Sequence, residues 1–208
     1  MNKDFLVTSE EELREMYGQP IELVTKKMTA SPVEEMIEFI QLSPLVFLST
    51  VDKNGKIDVS PRGDAPGFIK IDDEGRLLIP DRPGNKLLHS HKNIISNENV
   101  GLIFVVPNLT ETLRIKGRAV ISRDPALLEE VSAQGKPALL CTAVETSDCW
   151  FHCGKAMIRS NMWEPEHWGT YDDSPMVRQF LKVLGKDKPE DKEAMEKEKE
   201  RNYREELY

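Results

Sequence analysis

Apolar and polar positions recur along this chain with two different periods. Near the N-terminus the period is helical. Ser9 and Glu12 form a capping box, in which the serine oxygen accepts an amide proton while the glutamate reaches back to the cap. Leu13, Met16 and Tyr17 follow at helical spacing. Ser31 and Glu34 repeat the signal with Pro32 at the first helical position, and Val33, Met36, Ile37 and Ile40 mark one apolar face. Both stretches predict packing helices without chemistry of their own.

The middle of the chain changes to strand-like runs. Residues 45–51 form a short apolar strand, Asp52-Lys53-Asn54-Gly55 a turn, and residues 56–60 the returning strand, because Asn-Gly tolerates the positive φ angles of a hairpin. Residues 67–71 and 76–79 flank a second turn, Asp72-Asp73-Glu74-Gly75. Residues 84–96 read as a helix, 100–106 and 112–122 as strands, and 126–132 as a short helix capped by Asp124-Pro125. Residues 138–145 read as a further strand and 151–160 as a helix. Hairpins with helices inserted, and no strict βαβ alternation, argue against a doubly wound sheet. They predict a mainly β, α+β fold: an antiparallel barrel with N-terminal and peripheral helices. The divisions expected are a helical segment at 1–42, the barrel at 43–168 and an extension at 169–208.

Charge changes the picture at the C-terminal side. Of residues 186–208, seven are Lys or Arg and nine Asp or Glu, so this stretch reads as a solvated helix dispensable for a site, the alternative being a helix docked on a partner with Met195, Tyr203, Leu207 and Tyr208 as its few anchors. The 208-residue chain carries a formal net charge of −8, which argues against a nucleic-acid or anionic-membrane partner. Its longest apolar runs, 45–48 and 101–106, are too short to span a bilayer. The first residues show no signal-peptide pattern, and three cysteines make no disulfide framework, so a cytoplasmic location is expected.

Three segments carry candidate chemistry. In Ser60-Pro61-Arg62-Gly63-Asp64-Ala65-Pro66-Gly67, prolines and glycines stiffen a bend around an Arg and an Asp. The Arg fork suits a phosphate and the Asp a ligand N–H, although an internal ion pair fits as well. In Ile79-Pro80-Asp81-Arg82-Pro83-Gly84-Asn85-Lys86, two cations precede a helix start, a setting that favours anions, although a plain surface loop also fits. In the run from Trp150 to Ser160, helical spacing places His152, Lys155, Ala156 and Arg159 on one face, either solvated or facing a ligand. Cys149 and Cys153 have a zinc-type spacing, but no second ligand pair follows, and a nucleophile elbow and a dinucleotide-binding glycine motif are missing, so no metal is expected and no catalytic acid is assigned; His152 is the one proton carrier of that segment near neutral pH.

The runs FLSTVDKNGKIDVSPRGDAPGFIKI, LLIPDRPGNKLLHSHKNIISNENVGLIFVVP, TLRIKGRAVIS and FHCGKAMIRSNMW, in that order over residues 30–168, resemble the pyridoxamine 5′-phosphate oxidase-like flavoproteins, and among them the flavin-nucleotide-binding subgroup. The resemblance implies a split β-barrel that binds FMN between the subunits of a homodimer. It places Ser60, Arg62, Gly63 and Asp64 near the flavin, and Ile79, Pro80, Asp81, Arg82, Asn85 and Lys86 around the ring edge and phosphate. Arg114, Lys155, Arg159 and Trp163 would approach from the partner or close the site. It further implies an oxidoreductase acting on a small-molecule substrate, the alternative being a non-catalytic flavin- or haem-binding protein. The charged C-terminal stretch replaces the arginine-bearing motif of true pyridoxamine-phosphate oxidases, so vitamin B6 oxidation is not expected.

Overall fold

The computed structural model describes residues 1–171, 174–186 and 188–208. In chain order its elements are α1 (Glu10–Tyr17), α2 (Glu22–Lys26), α3 (Glu34–Leu42), β1 (Leu45–Val51), β2 (Ile57–Gly63), β3 (Lys70–Ile71), β4 (Leu77–Asp81), α4 (His89–Ser96), β5 (Asn99–Val105), β6 (Thr112–Ser122), α5 (Pro125–Glu130), β7 (Leu140–His152), α6 (Lys155–Arg159), α7 (Pro175–Val183) and α8 (Pro189–Glu205). The expected α+β fold is present. All neighbouring strands run antiparallel in one seven-stranded sheet of order β2-β1-β5-β6-β7-β4-β3.

The edges β2 and β3 do not pair with each other, so the ladder stays open. Side chains bridge the gap instead. Arg62 Nη1 on β2 lies 2.6 Å from Asp81 Oδ1 on β4, and Asp64 Oδ2, just past β2, lies 2.9 Å from Arg82 Nε, just past β4. The sheet therefore curls into a split barrel whose seam is an ion-paired cleft rather than a hydrogen-bonded ladder. Each proline in the two strands at this seam sits where a missing N–H is tolerated. Pro61 lies on edge strand β2, and Pro80 lies beyond the short stretch of β4 that β3 covers.

The core fills the inside of the curl. Phe104, Ile40, Leu77, Leu113 and Val144 are fully buried there, beside Val46, Leu48 and the α3 residues Met36 and Phe39. Phe39 meets Phe151 edge to face, with ring centroids 5.4 Å apart. A smaller cluster of Leu78, Val131, Ala138, Cys141 and Ala143 lies under α5. The longest strands bend at Gly117, where the β6–β7 register shifts; a Cβ there would stand 2.2 Å from the Glu145 carbonyl oxygen.

Several expected boundaries move. β1 and β6 match their predicted spans. The first capping box forms, with Ser9 Oγ accepting from Glu12 N and Glu12 Oε2 accepting from Thr8 N, yet α1 and α2 bury no residue and lie on the surface. The second helix starts at Glu34 with Val33 as its cap rather than Ser31, because Thr29 is held extended by paired backbone bonds to Cys149. The 84–96 helix shortens to α4: Lys86 and Leu88 adopt φ of 60° and 58°, which breaks helical continuity up to His89. β7 runs on to His152, so the 151–160 helix reduces to α6 and His152 is not on its face. Among the described residues no helix is long and apolar enough to cross a membrane.

Candidate functional site

The cleft at the seam is the site at which two of the three sequence segments, 60–67 and 79–86, meet. β2 delivers Ser60 and Arg62, and the bend after it delivers Asp64. β4 delivers Asp81 opposite them, and the loop between β4 and α4 supplies Arg82, Asn85 and Lys86. Two adjoining cavities, of about 490 and 580 Å³, share Ser60, Pro61, Arg62, Arg82, Pro83, Gly84 and Asn85 as a common wall. The first adds Gly63, Asp64, Phe68, Pro80, Leu207 and Tyr208. The second adds Asp58, Asp81, Lys86, Ser90 and His91, with Leu139.

The polar groups of the wall are tied to one another. Asp81 Oδ1 accepts from Arg62 Nη1 and lies 3.3 Å from His91 Nε2. Burial pushes the Asp81 carboxyl upward, but His91 and Arg62 outweigh it and hold it below the ordinary carboxylate value. Burial acts on Asp64 in the same direction and is outweighed by the Tyr208 hydroxyl, the Ala65 amide and Arg82, so it too is held low. Ser90 Oγ donates to Asp58 Oδ2 at 3.1 Å and lies 3.0 Å from Ser60 Oγ. Arg82 spends Nε on Asp64 and donates Nη2 to the Val131 carbonyl, 2.9 Å in each case. Among the described residues, two buried side-chain polar atoms remain without a partner, Arg62 Nε and His91 Nδ1.

Most of the expected site residues meet here: Ser60, Arg62, Gly63, Asp64, Pro80, Asp81, Arg82, Asn85 and Lys86 all line the cleft. Ile79 does not; its side chain is 2% exposed and packs into the core, because the alternation along β4 turns it inward. Within one chain the remaining four lie apart from the cleft. Arg114 stacks 4.8 Å over Trp150 on the outer sheet face. Lys155 and Arg159 are exposed on α6, and Trp163 Nε1 donates to the Leu109 carbonyl at 2.8 Å. Arg82 is placed at the cleft but serves as an internal tie to Asp64, which realises the ion-pair alternative of the Asp64 motif rather than the surface-loop alternative of its own. His91, Phe68 and Tyr208 belong to the wall without having been expected. A His89-x-His91 pair on a helix gives only one buried histidine, and nothing in the sequence marks it as the partner of Asp81.

The end of the chain departs most from expectation. α8 is the solvated helix that its charges predict, with no buried residue and a Glu193–Lys197 pair at 2.6 Å. Beyond it, however, Tyr208 reaches the cleft, and its hydroxyl donates to Asp64 Oδ1 at 2.6 Å.

A family model described as pyridoxamine 5′-phosphate oxidase matches residues 32–153. Among curated proteins none matches this chain. Among solved structures, HupZ of Group A Streptococcus is similar at 16% identity and a TM-score of 0.47, covering 58% of this chain and 93% of its own. A Lactobacillus delbrueckii protein provisionally called a pyridoxamine 5′-phosphate oxidase is similar at 23% identity and a TM-score of 0.45, covering 59% and 95%. HutZ, a haem storage protein of Vibrio cholerae, is similar at 16% identity and a TM-score of 0.39, covering 57% and 92%.

Proposed function

The chain belongs to the pyridoxamine 5′-phosphate oxidase family, and on that premise we propose that it binds FMN in the seam cleft and uses it to oxidise or reduce a small organic molecule. The observation that carries this reading is the unsatisfied Nε of Arg62. It is a buried cationic donor in the wall common to both cavities. Leaving such a donor unmade costs on the order of 1–3 kcal/mol, which an anionic or carbonyl-bearing ligand recovers. The donor set fits a flavin nucleotide. Arg62, Asn85 and Lys86 supply polar groups to the lining, and Phe68 and the prolines 61, 80 and 83 give apolar surface for a planar ring. The two cavities lie in the size range of ~300–1,000 Å³ typical of cofactor sites.

A bound flavin supplies the redox centre, so the chain needs no nucleophile of its own. Its residues bind and orient. Lys86 has no ion-pair partner among the described residues and places a charge at the wall of the cleft, whereas Arg82 fixes the loop to Asp64 and Val131. A homodimer is part of this proposal. The outer sheet face carries a row of Phe47, Ile103, Arg114 and Trp150 on four adjacent strands, and Phe47 and Ile103 are 36% and 39% exposed. A second copy seated on that row would bring its own Arg114 to the interface.

Titration of the full chain with FMN and with riboflavin tests the reading. Both should bind. Lys86→Ala should weaken FMN about tenfold, or ~1.4 kcal/mol, with little change for riboflavin. Arg82→Ala should weaken both alike, because it loosens the wall itself. Equal losses for the two ligands in Lys86→Ala would move the phosphate elsewhere, and a chain that binds neither would refute the proposal.

A further inference from the structure

We propose that the segment after α8 completes the ligand site of its own chain, with Tyr208 as a wall residue that offers its ring and its phenol oxygen to the ligand. This rests on the flavin reading above and names a residue that reading lacks.

Leu207 and Tyr208 line the 490 Å³ cavity together with Arg62, Asp64 and Arg82. The segment is held at two points: the Tyr208 hydroxyl donates to Asp64 Oδ1 at 2.6 Å, and Lys136 Nζ donates to the Tyr208 carbonyl at 3.1 Å. α8 lies against α7 and buries no residue of its own. Asp64 is itself fixed: Oδ1 also accepts from the Ala65 amide and Oδ2 from Arg82 Nε. With both oxygens engaged, Asp64 anchors Tyr208. The bond also has a direction. Tyr208 donates its hydroxyl hydrogen bond to Asp64, and the acceptor side of the phenol oxygen, which the Gln134 side chain also approaches, can receive a hydrogen bond from a ligand N–H or O–H. The carboxylate beside it raises the Tyr208 phenol above its ordinary value, so the proton stays on the phenol at neutral pH. A tyrosine at a cavity wall also gives a flat apolar surface against which a planar ring can stack.

The cavity exists with Tyr208 in place, so the residue is a wall and not a plug. That distinguishes the inference from a lid that competes with ligand. The test uses the full chain with FMN and riboflavin as probes. Tyr208→Ala should weaken both ligands equally, by about tenfold, because the wall contacts the part they share. Tyr208→Phe should show a smaller loss, since it keeps the ring. Both variants should melt within a few degrees of the parent, which reports that the barrel is intact. Lys136→Ala should weaken binding in the same sense through the second tether. Parental affinity in Tyr208→Ala would overturn the inference and leave the flavin proposal standing. Tighter binding in that variant would also overturn it, in favour of a competing lid. A parent chain that binds neither flavin would overturn both.

Discussion

Asp81 ends β4 with 12% of its side chain exposed, accepts from Arg62 across the seam and faces His91. Its native carboxyl is held below the ordinary value near ~3.9. A depressed carboxyl contributes stability that is present above the unfolded value and lost as pH falls through the native one. Asp81→Asn should therefore lower stability at pH 7, by roughly 3 kcal/mol or less given that Arg62 keeps 20% exposure. The gap to the parent should close below about pH 4, where the parent loses the same contribution. Denaturant melts at several pH values check this; a gap constant with pH would place the contribution elsewhere. At this scale the two motifs around Arg62 and Arg82 were legible, because proline, glycine and paired charges stand out in a short window. Their partners were not. Asp64 meets Arg82 across 18 residues through the curl of the sheet, and Tyr208 across 144 through the course of the chain after α8.

Among the elements, β1 and β6 follow their apolar alternation because each has one face on the core. The helix predicted over 84–96 starts late because Lys86 and Leu88 take left-handed angles that no composition rule assigns to Lys or Leu. The 151–160 helix fails for a tertiary reason: β6 offers β7 a partner as far as His152, and ladder bonds win over helical spacing. α1 shows the opposite case, a helix formed on local signals that finds no core within its own chain. The sheet should be most sensitive on β5, next to the central strand β6. Phe104 is 0% exposed, so Phe104→Ala should cost about 3–5 kcal/mol, read as a lowered denaturation midpoint. A loss below ~1 kcal/mol would mean that the core there relaxes around the cavity, contrary to the packing described.

For the molecule as a whole, the α+β class and the antiparallel sheet were readable from hairpins without βαβ alternation, whereas the strand order was not. β4 returns to the far side of β7, a non-local pairing that periodicity leaves unspecified. The exposed row on the outer face predicts self-association. Sedimentation should give a dimer, and Phe47→Asp or Ile103→Asp should shift it toward monomer while the fold persists. A parent chain that sediments as a monomer would remove the partner from the account of the site. The central claim is that the seam cleft holds a flavin, and the visible absorption spectrum of the purified chain, before and after FMN is added and free ligand removed, tests it most directly. The account predicts the paired bands of an oxidised flavin, retained by the protein and lost from it on unfolding. A colourless protein that retains no FMN, or a single Soret band in place of the flavin bands, would contradict it.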